Sequence, residues 1–233
     1  MVATVLPSAL AALRQLASPP MRALLWRSLG LTVILLGLLW YGLTQVLGAF
    51  VGSHPLSASY PVVDSVLVFV AGAGLLVGLL YILPVVSAIV AGFFLDDAAE
   101  RVEATDFPGQ PVGRALSLPR SIATGLRFAA LALVLNILAL FLLFVPGVNL
   151  VAFFAVNAYL LGREYFEMAA SRFRPQADAA KLRREHRATV YAAGGTMAAM
   201  MLVPILNLAM PIFGIALMVH VHKRIAARLP APV

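Results

Sequence analysis

Cysteine is missing from all 233 residues, which removes disulfide frameworks, thiolate zinc sites, iron–sulfur ligation and cysteine nucleophiles in one step. Charge is scarce as well. Only 12% of residues are charged, with ten Asp and Glu against 17 Lys and Arg, far too little polar surface to cover a soluble fold of this composition. No nucleophile elbow, zinc-hydrolase signature or phosphate loop occurs, and the apolar interior offers little beyond Asn, Ser, Thr, Gln and Tyr. The chain is therefore not expected to be an enzyme, and no cofactor or metal is implied. The first 13 residues carry no positive charge ahead of an apolar run, so no cleaved signal peptide is expected.

What is abundant is hydrocarbon. Hydrophobic residues make up 62% of the chain and the mean hydropathy is +0.95. Four windows, 28–63, 65–95, 128–162 and 188–222, contain no Asp, Glu, Lys or Arg. Each exceeds the roughly 20 residues that cross a hydrocarbon core of about 30 Å as a helix. Strands of a membrane barrel would alternate in polarity over short segments, and none do. The expected fold class is all-α, a polytopic integral membrane protein.

The cations set its orientation. Arg14, Arg22 and Arg27 precede the first window, and Arg101, Arg114, Arg120 and Arg127 follow the second. Seven more, from Arg163 to Arg187, separate the third and fourth, and Lys223, Arg224 and Arg228 follow the last. The opposite connections hold none, so both termini and the basic segments are expected in the cytoplasm of a bacterial-type inner membrane. The basic balance then reflects topology and attraction to anionic membrane lipids; nucleic acid is not an expected partner.

The first two windows read as an ordinary pair of membrane helices joined by the loop 52–60. Gly37, Gly42 and Gly48 in one, and Gly72, Gly74 and Gly78 in the other, either allow close backbone approach or are small residues tolerated by lipid. Pro84 is expected to kink the second helix. The last two windows are each divided by the pattern Val-Pro-x-x-Asn-Leu, carried by Pro146 and Asn149 in one and Pro204 and Asn207 in the other. The arms are about 15 to 18 residues, roughly 22 to 27 Å, which is short for a crossing. Each hairpin either turns at the far interface or half-crosses and has its turn covered by protein, where the Asn side chains could satisfy backbone groups.

Between the second and third windows lie Asp96, Asp97, Glu100, Glu103 and Asp106. On a helix, Asp96, Glu100 and Glu103 share a face. They form either a solvated helix end or a polar mouth, with ion pairs to Arg101, Arg114 or Arg163; the spacing is not that of a calcium loop. Segment 163–187, which opens with Arg163 and Glu164, reads as helix, break at Arg174-Pro175, then helix. His220 and His222 are two apart and point to different faces, which argues against a shared metal.

Several runs resemble one family. Arg163-Glu164-Tyr165-Phe166-Glu167, Arg183-Arg184-Glu185-His186-Arg187, the stretch from Val203 to Gly214 and the stretch from Gly92 to Glu103 are similar to the CysZ-type sulfate permeases, also called the etoposide-induced-protein-like membrane domain family. The resemblance covers about Pro20 to Arg224. It implies two long transmembrane helices, two hemi-penetrating hairpins, assembly into homo-oligomers and sulfate uptake for sulfur assimilation. The family's Gly-Leu-Arg-Arg-like anion segment aligns with Pro20-Met21-Arg22-Ala23, where only Arg22 matches; Arg27 is the candidate replacement for the second arginine.

The chain is thus expected to form a single membrane domain. Its parts are an interfacial segment 1–27, two membrane helices within 28–91, a connector 92–127, hairpins 128–162 and 188–222, a charged connector 163–187, and a tail 223–233. Its expected function is passive or channel-like uptake of sulfate or a related small anion. Arg22 and Arg27 would bind the substrate, and Glu100, Glu103, Arg163 and Glu164 would line a polar mouth. The alternative is a non-transporting scaffold or bilayer-shaping protein.

Overall fold

The computed structural model describes residues 2–52, 61–115, 134 and 148–229, and every regular element among them is helical. Pro146 and most of the first arm of hairpin 128–162 lie outside the described residues, as do the side chains of Pro84, Asn149 and Pro204. A 3-10 turn, Val2–Thr4, leads into α1 (Val5–Leu16), α2 (Pro19–Gly52) and α3 (Pro61–Asp106). Then come α4 (Val148–Ser171), α5 (Gln176–Glu185), α6 (Arg187–Met201) and α7 (Pro204–Ala226). The chain divides into two compact units, Ala23–Phe94 and the remainder.

The unit Ala23–Phe94 is made of long apolar helix with little internal cover. Pro19 and Pro20 open α2 where the first-turn donors have no acceptor in any case, and Pro19–Ala49 is long and apolar enough to cross a membrane. Only 6% of its most apolar window is buried, and Val33, Ile34, Leu38, Tyr41 and Val46 stand open. A side chain placed on Gly37, Gly42, Gly48, Gly72, Gly74 or Gly78 would meet nothing. Among the described residues these glycines therefore mediate no close backbone approach. Helix α3 is continuous through Pro84 and carries on as far as Asp106, so the acidic cluster is the helix's own last turns.

The other unit is a packed helical body. Helix α4 lies along α6 and also touches α7, while α1 covers α7 from the opposite end of the sequence. The tightest crossing is Gly162 against Gly194. A β-carbon on Gly194 would collide with the Ala158 carbonyl oxygen, and one on Gly162 would lie 2.7 Å from the Val190 carbonyl oxygen. Hydrogen at both positions lets the two backbones touch. Around this crossing, Phe166, Met197, Phe213, Leu217 and Met218 are fully enclosed.

The turn between α6 and α7 needs no side-chain cap. The Leu202 and Val203 N–H groups donate to the carbonyls of Ala199 and Met200, each at 3.2 Å, and Pro204 begins the next helix without a donor to satisfy. Asn207 is exposed on the helix that follows, and its backbone N–H reaches the Val203 carbonyl at 2.9 Å. Helix α6 has 15 residues, about 22 Å at 1.5 Å per residue. The expected break at Arg174-Pro175 falls between α4 and α5, where Pro175 occupies the N-cap of α5.

Candidate functional site

At the end of α3, a spacing of seven residues brings Asp96 and Glu103 onto one face, and both carboxylates meet Arg172, just past the end of α4. The Arg172 Nε–H donates to Glu103 Oε1 at 2.8 Å, and Nη1 donates to Asp96. A further N–H reaches the Gly113 carbonyl at 3.3 Å. Segment 111–114 closes over the pair: the Gly113 N–H donates to Glu103 Oε2 at 2.7 Å, and the Arg114 N–H donates to the Arg172 carbonyl at 2.8 Å. Only glycine fits here, because a β-carbon at 113 would lie 2.6 Å from that of Arg172. The side chains of Arg172 and Glu103 are 3% and 1% exposed, so each neutralises the other in a site that water does not reach.

Beside this clamp, Lys223 at the end of α7 donates to the Pro111 carbonyl at 3.2 Å and places its ammonium 4.2 Å from the Phe173 ring centre. Burial lowers its affinity for a proton, with Glu103 acting in the opposite direction. His222 stacks on the same Phe173 ring at 5.1 Å, and neither of its ring nitrogens has a hydrogen-bond partner among the described residues. His220 turns the other way, 3.1 Å from Asp106 and 3.4 Å from the Gln15 amide oxygen. The two histidines thus diverge, and no cluster able to hold a metal ion occurs among the described residues.

A recess of about 390 Å³ opens between α1, the start of α2 and the end of α3. Arg14 and Arg101 provide its positive charge, Gln15, Ser18 and Thr105 its neutral hydrogen-bonding groups, and Asp106 its one carboxylate. Arg14, Arg22 and Arg101 are exposed and form no ion pair among the described residues. Met21, next to Arg22, lines the same recess. Guanidinium groups without a carboxylate partner, beside hydroxyl and amide groups, are donors available to an oxyanion.

Arg22 and Arg27 are both exposed on α2, and Glu100 is exposed on α3. Glu103 is consumed by Arg172 rather than by Arg101, Arg114 or Arg163. Arg163 pairs with Glu167 at 3.6 Å, and Glu167 also accepts from Arg183 at 2.7 Å. The neighbouring Glu164 carboxyl is pushed up to about 7 by burial and by Glu167, against the pull of Arg163. Burial, with Glu164 beside it, also raises the Tyr165 hydroxyl above its ordinary value. Sequence reasoning missed Arg172, Lys223 and Arg14 as partners of named sites. Arg172 is one cation among seven in 163–187, and nothing local distinguishes it.

With this geometry in place, comparison with known proteins shows a family: the family model described as sulfate transporter CysZ/etoposide-induced protein 2.4 aligns with residues 8–211. No curated protein matches the chain. The aligned span includes the recess and the Glu103–Arg172 clamp and stops within α7, before His220, His222 and Lys223.

Proposed function

The chain belongs to the family of the sulfate transporter CysZ and etoposide-induced protein 2.4, and on that premise we propose that it is a multi-pass inner-membrane protein admitting sulfate or a related small oxyanion for sulfur assimilation. The observation that carries the anion reading is the pair of unpartnered guanidiniums, Arg14 and Arg101, facing one recess with Gln15, Ser18 and Thr105. A divalent oxyanion leaving water must exchange its hydration for fixed donors, and these groups supply charge and hydrogen bonds together. Arg22 and Arg27 lie on the cytoplasmic approach in this reading.

The bare apolar flanks of α2 support a bilayer environment, because exposed hydrocarbon on this scale is costly in water. The open glycines of α2 and α3 suit contact with further copies of the chain. Both termini are cytoplasmic in this proposal, and the shortness of the α6 arm, 15 residues, supports a half-crossing second hairpin. No Asp, Glu, Lys or Arg lies within the apolar windows, and His220 and His222 stand at the very end of the last one, which favours passive, channel-like conduction over a proton-coupled cycle.

Flux of radiolabelled sulfate into proteoliposomes tests the proposal. Wild-type vesicles should take up sulfate faster than empty ones, and the double variant Arg14→Gln with Arg101→Gln should lose most of that excess. Uptake no faster than in empty vesicles under several anion gradients would leave the scaffold or bilayer-shaping role as the better account.

A further inference from the structure

A second recess, about 350 Å³, lies away from the first, where α4, the end of α5 and the start of α6 meet. Arg163, Arg183 and Arg187 converge on it, with Tyr159, Tyr191 and Val190 completing the wall. The local charge does not cancel. Arg163 and Arg183 share the single carboxylate of Glu167, and Arg187 is exposed with no ion pair among the described residues. Glu164 is pushed up to about 7, chiefly by burial, and so contributes only part of a charge at neutral pH, and Glu185 is exposed on α5. Helix α6 begins at this wall with no side chain capping it, so the first-turn N–H groups of Arg187 and Ala188 have no helical acceptor.

The surroundings identify what such a cavity would face. Toward the start of α4 the surface is apolar: Val151, eight residues before Tyr159 and so on the same side of the helix, is exposed, Tyr159 is 41% exposed and Tyr191 of α6 is 45% exposed. On the other side stand the exposed charged residues Lys181, Arg184 and Glu185 of α5. Two half-exposed tyrosines at a boundary between hydrocarbon and charge occupy the position of aromatic residues at a lipid headgroup layer.

We propose that this recess holds the phosphate of an anionic phospholipid, with Arg163, Arg183 and Arg187 as its cationic ligands and its acyl chains lying along the exposed face of α4. The phosphate supplies the negative charge the three guanidiniums lack, and arginine is the side chain whose fork matches phosphate oxygens. The apolar flank explains why a lipid, and not a free oxyanion, is the occupant: it has a use for the chains as well as the head. Basic pockets beside membrane helices on the cytoplasmic side bind lipid headgroups by this combination. The proposal is independent of whether the chain conducts sulfate.

The test uses the full chain purified in a neutral detergent and titrated with phosphatidylglycerol or phosphatidylcholine, followed by thermal unfolding. Phosphatidylglycerol should raise the melting temperature at saturable concentration and phosphatidylcholine should not. Arg187→Gln, which removes an exposed and unpaired side chain, should weaken the apparent phosphatidylglycerol affinity about fivefold, the factor expected for one cation at an anionic lipid. Arg163→Gln should act in the same direction. Arg228→Gln, an exposed cation on the tail, should leave the affinity unchanged. Equal responses to the two lipids, wild-type affinity in both recess variants, or an equal loss in the Arg228 variant would each overturn the proposal. So would competitive displacement of phosphatidylglycerol by sodium sulfate or inorganic phosphate at matched concentration, since the site would then serve a free oxyanion.

Discussion

Glu103 and Arg172 are more consequential to each other than to any anion. Each is enclosed: removing Arg172 leaves Glu103 buried without its ion-pair partner, and removing Glu103 leaves Arg172 only the carboxylate of the half-exposed Asp96. Losing one partner of a buried pair costs about 3–5 kcal/mol. Glu103→Ala should therefore lower the melting temperature in detergent by many degrees, while Glu100→Ala, at an exposed position, should leave it nearly unchanged. The Glu164 carboxyl gives a pH signature of the opposite kind from a salt-bridged acid. Its folded-state value, about 7, lies above the ordinary 4.5, so between those limits the folded chain binds more protons than the unfolded one. The contribution is complete below about pH 4.5 and is lost as pH rises through 7. Glu164→Gln should flatten the decline in melting temperature between pH 5 and 7.5; an equally steep decline in the variant would remove Glu164 as its source. Which acids share a face was legible from the spacing of Asp96, Glu100 and Glu103. Which of them is buried was not, because that depends on Arg172, 69 positions from Glu103.

Among the helices, the decisive contact is a crossing that sequence alone does not single out. Gly162 and Gly194 look no different from the glycines of α2, yet the former pair touches backbone and the latter faces open space. Gly194→Ala should force α4 and α6 apart and destabilise the packed unit by about 1–3 kcal/mol, the usual penalty of overpacking. Gly195→Ala is the matched control, since its β-carbon would meet nothing, and it should be neutral or slightly stabilising through better helix propensity. Equal melting temperatures for the two variants would contradict the close crossing. The helical class and the break at Arg174-Pro175 were readable because apolar runs and prolines act locally. The continuation of α3 to Asp106 was less evident, since a membrane window ends where charge begins but a helix need not.

For the whole molecule, the absence of cysteine is an experimental convenience. Single cysteines can be introduced without a competing thiol, and a membrane-impermeant maleimide then reports sidedness in right-side-out vesicles. Ser57→Cys, in the cation-free stretch 53–60, should react from outside. Ala177→Cys, among the charges of α5, should react only after permeabilisation. Leu202→Cys, at the exposed turn of the second hairpin, should react slowly from either side if α6 stops short of the far surface; fast labelling from outside would make that hairpin a full crossing. Membrane character was legible from composition, and topology was proposed from the cations, because each depends on sums over many residues. The two recesses were not legible, since Arg14 and Arg187 read as orientation signals until folding sets them beside other donors.

One contact also bears on how the protein is made. Helix α1 rests on α7, with Gln15 beside His220, 205 positions later in the chain. At synthesis rates of about 5–20 residues per second, the first helix waits on the order of ten to forty seconds for its partner to leave the ribosome. Through that interval the face bearing Val5, Ala9 and Ala12, buried in the finished protein, has no protein to cover it. The bilayer surface or a chaperone must shelter it, and a helix made long before its partner is among the last to be locked in place.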